Sequence, residues 1–210
     1  MFGSAHSQPL RLAIACETPA TLLSKLLQLQ RAEEPETPVA LSEVSPTELA
    51  AGMEERRFDA GLTLAPMQES PLQAEALWRD DLAIALPLRS PLLAHPRVPL
   101  EVLAEYPLVM WCSGAREAIN PQVHELLDGL KTPIEVVQYV RSFELMAVLV
   151  AAGYGVGFSG RSHLAASRAL NIVMRPFAAA PRTLTTYLVY PDAHKSPPLD
   201  RFAGRAASVQ

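Results

Sequence analysis

The chain has 210 residues, 49% hydrophobic and 19% charged, with a formal net charge of −4 at pH 7. That length and apolar share suffice for a sizeable core in one two-lobed domain or two small ones. An acidic balance without a Lys/Arg cluster excludes a phosphate-binding footprint for these residues, and no apolar run approaches the ~20 residues that a membrane-spanning helix needs. The start, MFGSAHSQPL, lacks the charged and apolar parts of a secretion signal, so a cytoplasmic protein is expected, with no membrane contact. Residues 1–9, polar and small from Gly3 to Ser7, read as a tag or linker remnant.

Leu10 to Ala15 reads as a strand. Thr18 or Thr21 can cap the helix that follows, whose apolar face is Leu22, Leu23, Leu26, Leu27 and Leu29 and which Pro35 and Pro38 end. Val39 to Val44 alternates as a second strand. Ser45 and Pro46 pair as N-cap and first helical residue of a second helix, and Phe58 to Leu64 is a third strand. Strands separated by helices of this length imply parallel pairing, because a parallel neighbour is reached only by a crossover.

Leu82 to Leu86 is another strand. Pro87 to Pro107 holds five prolines and reads as a loop around a helical turn near Pro99 to Ala104. Leu108 to Trp111 opens a second β-α-β series, with a helix capped by Asn120 and Pro121 that runs through Leu130, then a strand from Ile134 to Val140.

Ser142 to Ser159, SFELMAVLVAAGYGVGFS, is the most informative stretch. Ser142 caps a helix whose predicted buried face is Leu145, Val148, Leu149 and Ala152; Gly153 stops it, and Val156 to Phe158 reads as a buried parallel strand. Ligands of open α/β sheets sit beyond the carboxyl ends of such strands, which nominates Ser159 and Gly160. Ile172 to Pro176 and Thr183 to Tyr190 are further strands, and Leu199 to Ala207 a closing helix.

The enzyme motifs are missing. The five histidines have no paired metal-ligand spacing, and no GxSxG, P-loop or strand-to-helix GxGxxG occurs. GYGVG at Gly153 to Gly157 lies between helix and strand, the wrong order for a phosphate cradle. Ser159 and His163, four apart on a helix, would make a nucleophile pair only with an orienting acid that the sequence does not show. Cys16 and Cys112 are too few for a disulfide framework and read as reduced thiols. No enzyme, cofactor or metal site is expected.

LRLAIA at the start, EERRFDAGL at Glu54 to Leu62, LWRDDLAIALP at Leu77 to Pro87 and LMAVLVAAGYGVGF at Leu145 to Phe158, in this order and spacing, resemble the effector-binding domain of LysR-type transcriptional regulators. The resemblance runs from about Leu10 to Phe202. It implies an α/β fold of two Rossmann-like open-sheet lobes joined by crossing strands, the periplasmic-binding-protein type 2 architecture. Residues 10–82 with 186–210 would form lobe I, and residues 83–185 lobe II. It also implies a bacterial sensor whose small-molecule effector sits in the inter-lobe cleft. The family's N-terminal winged helix-turn-helix is absent from this sequence, so DNA contact is expected only through that domain in a longer parent. A transporter's solute-binding protein, which shares the architecture, is the alternative, and a signal peptide upstream of Leu10 would mark it.

Carried over residue by residue, the family's effector contacts fall on Thr18, on Ser45 or Thr47, on Ser113 or Gly114, and on Ser159. Helix N-termini offer N–H groups and partial positive charge to a carboxylate, and a hydroxyl adds a donor; plain capping is the alternative for each. After the third strand, where some dicarboxylate-binding relatives carry a basic residue, stand Leu64, Ala65, Pro66 and Met67. Arg116 or Arg161 would then supply a bidentate carboxylate contact, and Phe143, Trp111 and Met67 an apolar wall, surface arginines and core packing being the alternatives. The resemblance further implies an antiparallel homodimer through helices 21–31 and 121–130, and a tetramer in the full-length parent.

Overall fold

The computed structural model describes residues 8–15, 18–64, 72–111, 123, 127, 135–166, 170–178, 183–191 and 195–209. The chain divides into two units, one of residues 1–78 with 185–210 and one of residues 79–184.

In the first unit, β1 (Leu10–Ala15), α1 (Ala20–Glu33), β2 (Val39–Val44), α2 (Pro46–Glu54) and β3 (Ala60–Thr63) follow the predicted β-α-β-α-β order. β1 pairs in parallel with both β2 and β3, as the crossover argument requires. β9 (Thr183–Tyr190) returns antiparallel to β3, with Leu62 opposite Leu188. α6 (Pro197–Ser208) then closes the core, burying Leu199, Phe202, Ala203 and Ala206 against Leu12, Leu26 and Leu62. Trp78 joins this core and donates its indole N–H to the Ala206 carbonyl at 2.9 Å.

Two helix starts differ in how they are capped. α2 has the expected Ser45 cap and a full capping box: Ser45 Oγ accepts from the Glu48 N–H at 3.2 Å, and Glu48 Oε2 accepts from the Ser45 N–H at 2.8 Å. α1 departs from expectation. Its N-cap is Pro19, with no side-chain cap, and the Thr18 hydroxyl donates backwards to the Ala15 carbonyl at 2.9 Å. Of the predicted leucine face only Leu26 is fully buried, together with Gln30; Leu22, Leu23 and Leu29 pack partly on the core.

The second unit contains the rest of β4 (Gln73–Pro87), β5 (Leu108–Trp111), β6 (Val136–Val140), β7 (Gly157–Gly160) and β8 (Ile172–Pro176). Its helices are α3 (Leu100–Leu103), α4 (Phe143–Ala151) and the short α5 (Arg161–Ala166), with a 3-10 turn at Pro91–Ala94. β5 and β6 pair in parallel, as the second β-α-β series requires. Of the predicted helix between them, only Val123 and Leu127 are described, both helical.

The Ser142 unit is built as expected at its ends and differently in its middle. Ser142 Oγ accepts from the Leu145 N–H at 3.3 Å, and Gly153 takes φ 85°. Tyr154 N–H reaches the Leu149 carbonyl at 3.0 Å and Gly153 N–H the Val150 carbonyl at 2.9 Å, the paired bonds of a glycine-terminated helix. The buried face, however, is Phe143, Met146, Ala147 and Val150, while predicted Leu145 and Val148 are 48% and 52% exposed. The strand after it corrects the parallel prediction: β7 runs antiparallel to β4, with Ser159 opposite Ala83, and its parallel link to β5 is one bridge, Leu108 to Val156. Gly157 lets α4 lie on this strand, since a Cβ there would sit 2.2 Å from Met146 Sδ.

Candidate functional site

The second unit gathers three rings at the start of α4. Trp111 ends β5, Phe143 is the first residue of α4, and His163 lies on α5. Trp111 meets Phe143 edge-on at a centroid distance of 5.6 Å and His163 at 5.3 Å, and Phe143 stacks on His163 at 4.5 Å. Phe143 is buried and Trp111 is 8% exposed, yet among the described residues the Trp111 indole N–H finds no acceptor. An unmet buried donor costs about 1–3 kcal/mol, so this nitrogen stands out as a point where an external acceptor gains most.

Burial holds the His163 imidazole below its ordinary 6.5, against the opposing pull of the Glu144 and Asp80 carboxylates. At neutral pH the ring is therefore uncharged and suited to stacking. Asp80 also anchors the start of α5, where its carboxylate accepts from the Ser162 hydroxyl at 2.6 Å and from the Ser162 N–H at 3.1 Å. Gly160 makes room for it, because a Cβ there would lie 2.3 Å from Asp80 Oδ2. Neither Asp80 nor Ser162 was nominated by sequence, although an acid directly before an apolar strand was visible in RDDLAIAL.

Ser159 is buried within β7, and His163 lies on α5, so the helical i, i+4 relation behind a nucleophile pair does not exist. Arg161, the first residue of α5, is exposed. In the first unit Thr18 is buried with its hydroxyl engaged, and the N-cap Pro19 gives α1 no side-chain cap. Ser45 is engaged by Glu48 through both N–H and hydroxyl, and that carboxylate already serves the start of α2; Thr47 is exposed. Pro66, Met67, Ser113, Gly114 and Arg116 lie outside the described residues, as do Cys16 and Cys112. Among the described residues no cluster of His, Cys, Asp and Glu is suited to a metal ion, and no helix is long and apolar enough to cross a membrane.

The family model for the LysR substrate binding domain matches residues 3–209. The chain belongs to this family. Its two open-sheet α/β units joined by β4 and β9 are the periplasmic-binding-protein type 2 fold of LysR effector-binding domains. A probable cat1 operon transcriptional activator of Acinetobacter lwoffii is 28% identical over 156 residues, which are 73% of this chain and 51% of that relative. The chain thus spans about half the length of that relative. Among solved structures, the effector-binding domain of QuiR in complex with shikimate superposes with a TM-score of 0.83 at 17% identity, covering 97% of each chain. The BenM effector-binding domain with its effector benzoate gives 0.82 at 19%, covering 95% of this chain and 90% of that one. At those identities the likeness is one of fold.

Proposed function

We propose that this LysR-family domain senses a small carboxylate with an apolar or ring-shaped body, and that the Trp111, Phe143 and His163 group is part of its recognition surface. The observation that carries the reading is the buried, unpartnered Trp111 N–H beside two aromatic faces. A carboxylate oxygen answers that donor, and a flat body suits the edges of the rings. Shikimate and benzoate, held by the QuiR and BenM domains, have this chemistry and support the class. Neutral His163 adds a polar edge without the charge that would select a dianion.

Ser159, Ser113, Gly114 and Arg116 are proposed as further contacts on the family resemblance, as are Thr18 and Pro66 in the first unit. Ser45 ranks last, since Glu48 already occupies its hydroxyl and its helix start. The regulator as a whole is proposed to act as a dimer or higher assembly through α1 and the helix around Val123 and Leu127, with DNA held by a further domain of a longer protein.

A ligand that binds only the folded state raises the melting temperature with concentration, by RT ln(1 + [L]/Kd). Benzoate and shikimate, with aliphatic acids for comparison, are expected to raise it for the native chain and to lose most of that rise in Trp111→Phe. Ser45→Ala is expected to cost about 1 kcal/mol of stability and keep the ligand response. A rise that survives Trp111→Phe unchanged would reject the assignment of this surface.

A further inference from the structure

We infer that the second unit carries an additional anion site, distinct from the aromatic group above, which takes a monocarboxylate with an apolar body. A cavity of about 280 Å³ opens where β4 is flanked by β7 and β8. Its described lining is apolar at Leu82, Ala83, Met174, Pro176 and Phe177 and charged at Arg97, Arg161 and Asp81. Neither arginine makes a salt bridge or side-chain hydrogen bond among the described residues, and Asp81 pairs with neither.

Both guanidinium groups are set on pinned backbone. Val98 N–H donates to the Pro176 carbonyl and Ala178 N–H to the Val98 carbonyl, each at 2.9 Å, which ties the segment bearing Arg97 to the exit of β8. On the other flank Arg161 directly follows β7, whose Gly160 pairs with Leu82, and the Asp80 bonds to Ser162 hold the turn that carries it. Two arginines on fixed supports, lining one cavity with Ala83, Met174, Pro176 and Phe177, match a carboxylate with a hydrocarbon or aromatic tail. Among the described lining residues Arg97 and Arg161 against Asp81 leave one positive unit, which favours a monoanion over a dianion. The site stands on its own geometry and does not depend on the effector reading.

The test is site-resolved. In protein labelled with carbon-13 on its methionine methyl groups, the Met174 methyl reports this cavity and the Met146 methyl reports the packing behind Phe143. Phenylacetate titrated into the native chain should shift Met174, and succinate should not. Arg97→Gln with Arg161→Gln, both at exposed positions, should weaken the phenylacetate response about tenfold while leaving the melting temperature unchanged. The inference is overturned if Met174 stays still, if succinate shifts it equally, or if the double variant responds as the native chain does. Loss of ligand response at Trp111 with the Met174 response intact would sink the effector reading alone.

Discussion

At the scale of single residues, Glu34 is a buried charged group tied to two arginines. It is buried at the end of α1 between Arg201 and Arg205 of α6: Arg205 Nη1 lies 2.8 Å from Oε2, the Thr37 hydroxyl donates to Oε1 at 2.9 Å, and Arg201 grips both oxygens. Chiefly through the hydrogen bond from Arg201, against burial and with help from Thr37 and Arg205, its pKa falls from 4.5 to about 2. A depressed carboxyl contributes stability that is present above 4.5 and is lost as pH falls through about 2. His163 acts on an earlier stretch: its folded form resists protonation, so stability declines as pH drops below 6.5. Glu34→Gln is therefore expected to cost about 2 kcal/mol at neutral pH, part of the pair being solvent-screened, and to flatten the acid limb below pH 4.5 in melts across pH. An unchanged acid limb would remove Glu34 from that role.

Elements were legible where polarity marks a face and obscure where it does not. β1, β5, β8 and β9 lie where their apolar runs place them, and the Ser45-Pro46 and Ser142 helix starts are as written. β4 begins at Gln73, well before its apolar run at Leu82, because its first half is a half-solvated strand with polar residues such as Arg79 and Asp81. α4 was misoriented for the opposite reason: it is apolar almost all round, so periodicity cannot choose a face, and the choice fell to Gly157, which admits Met146. On α1, Leu22, Leu23 and Leu29 pack on the unit's own core, whereas Leu27 is half-buried outside that cluster. Leu27 is thus the residue of choice for testing the proposed dimer. Leu27→Arg should lower the sedimentation mass to that of a monomer without lowering the melting temperature much; a mass equal to the native chain's would exclude α1 from the interface.

For the molecule as a whole, helix caps, strand alternation and glycine stops made the alternating α/β order readable, and the family came from the resemblance carried by EERRFDAGL, LWRDDLAIALP and LMAVLVAAGYGVGF in their order and spacing. The proposed recognition surface was only half readable. Trp111 and Phe143 were nominated as an apolar wall, but the orphaned indole N–H and the stacking of His163 depend on how α4 and α5 meet β5, which no local pattern encodes. The proposed sensing function requires above all that this N–H receive the effector's carboxylate, and the two tryptophans provide an internal control. With indole nitrogens labelled with nitrogen-15, benzoate or shikimate should move the Trp111 indole resonance, while Trp78, bonded to the Ala206 carbonyl, stays in place. A ligand that raises the melting temperature and leaves the Trp111 resonance unmoved would show that the carboxylate is held elsewhere.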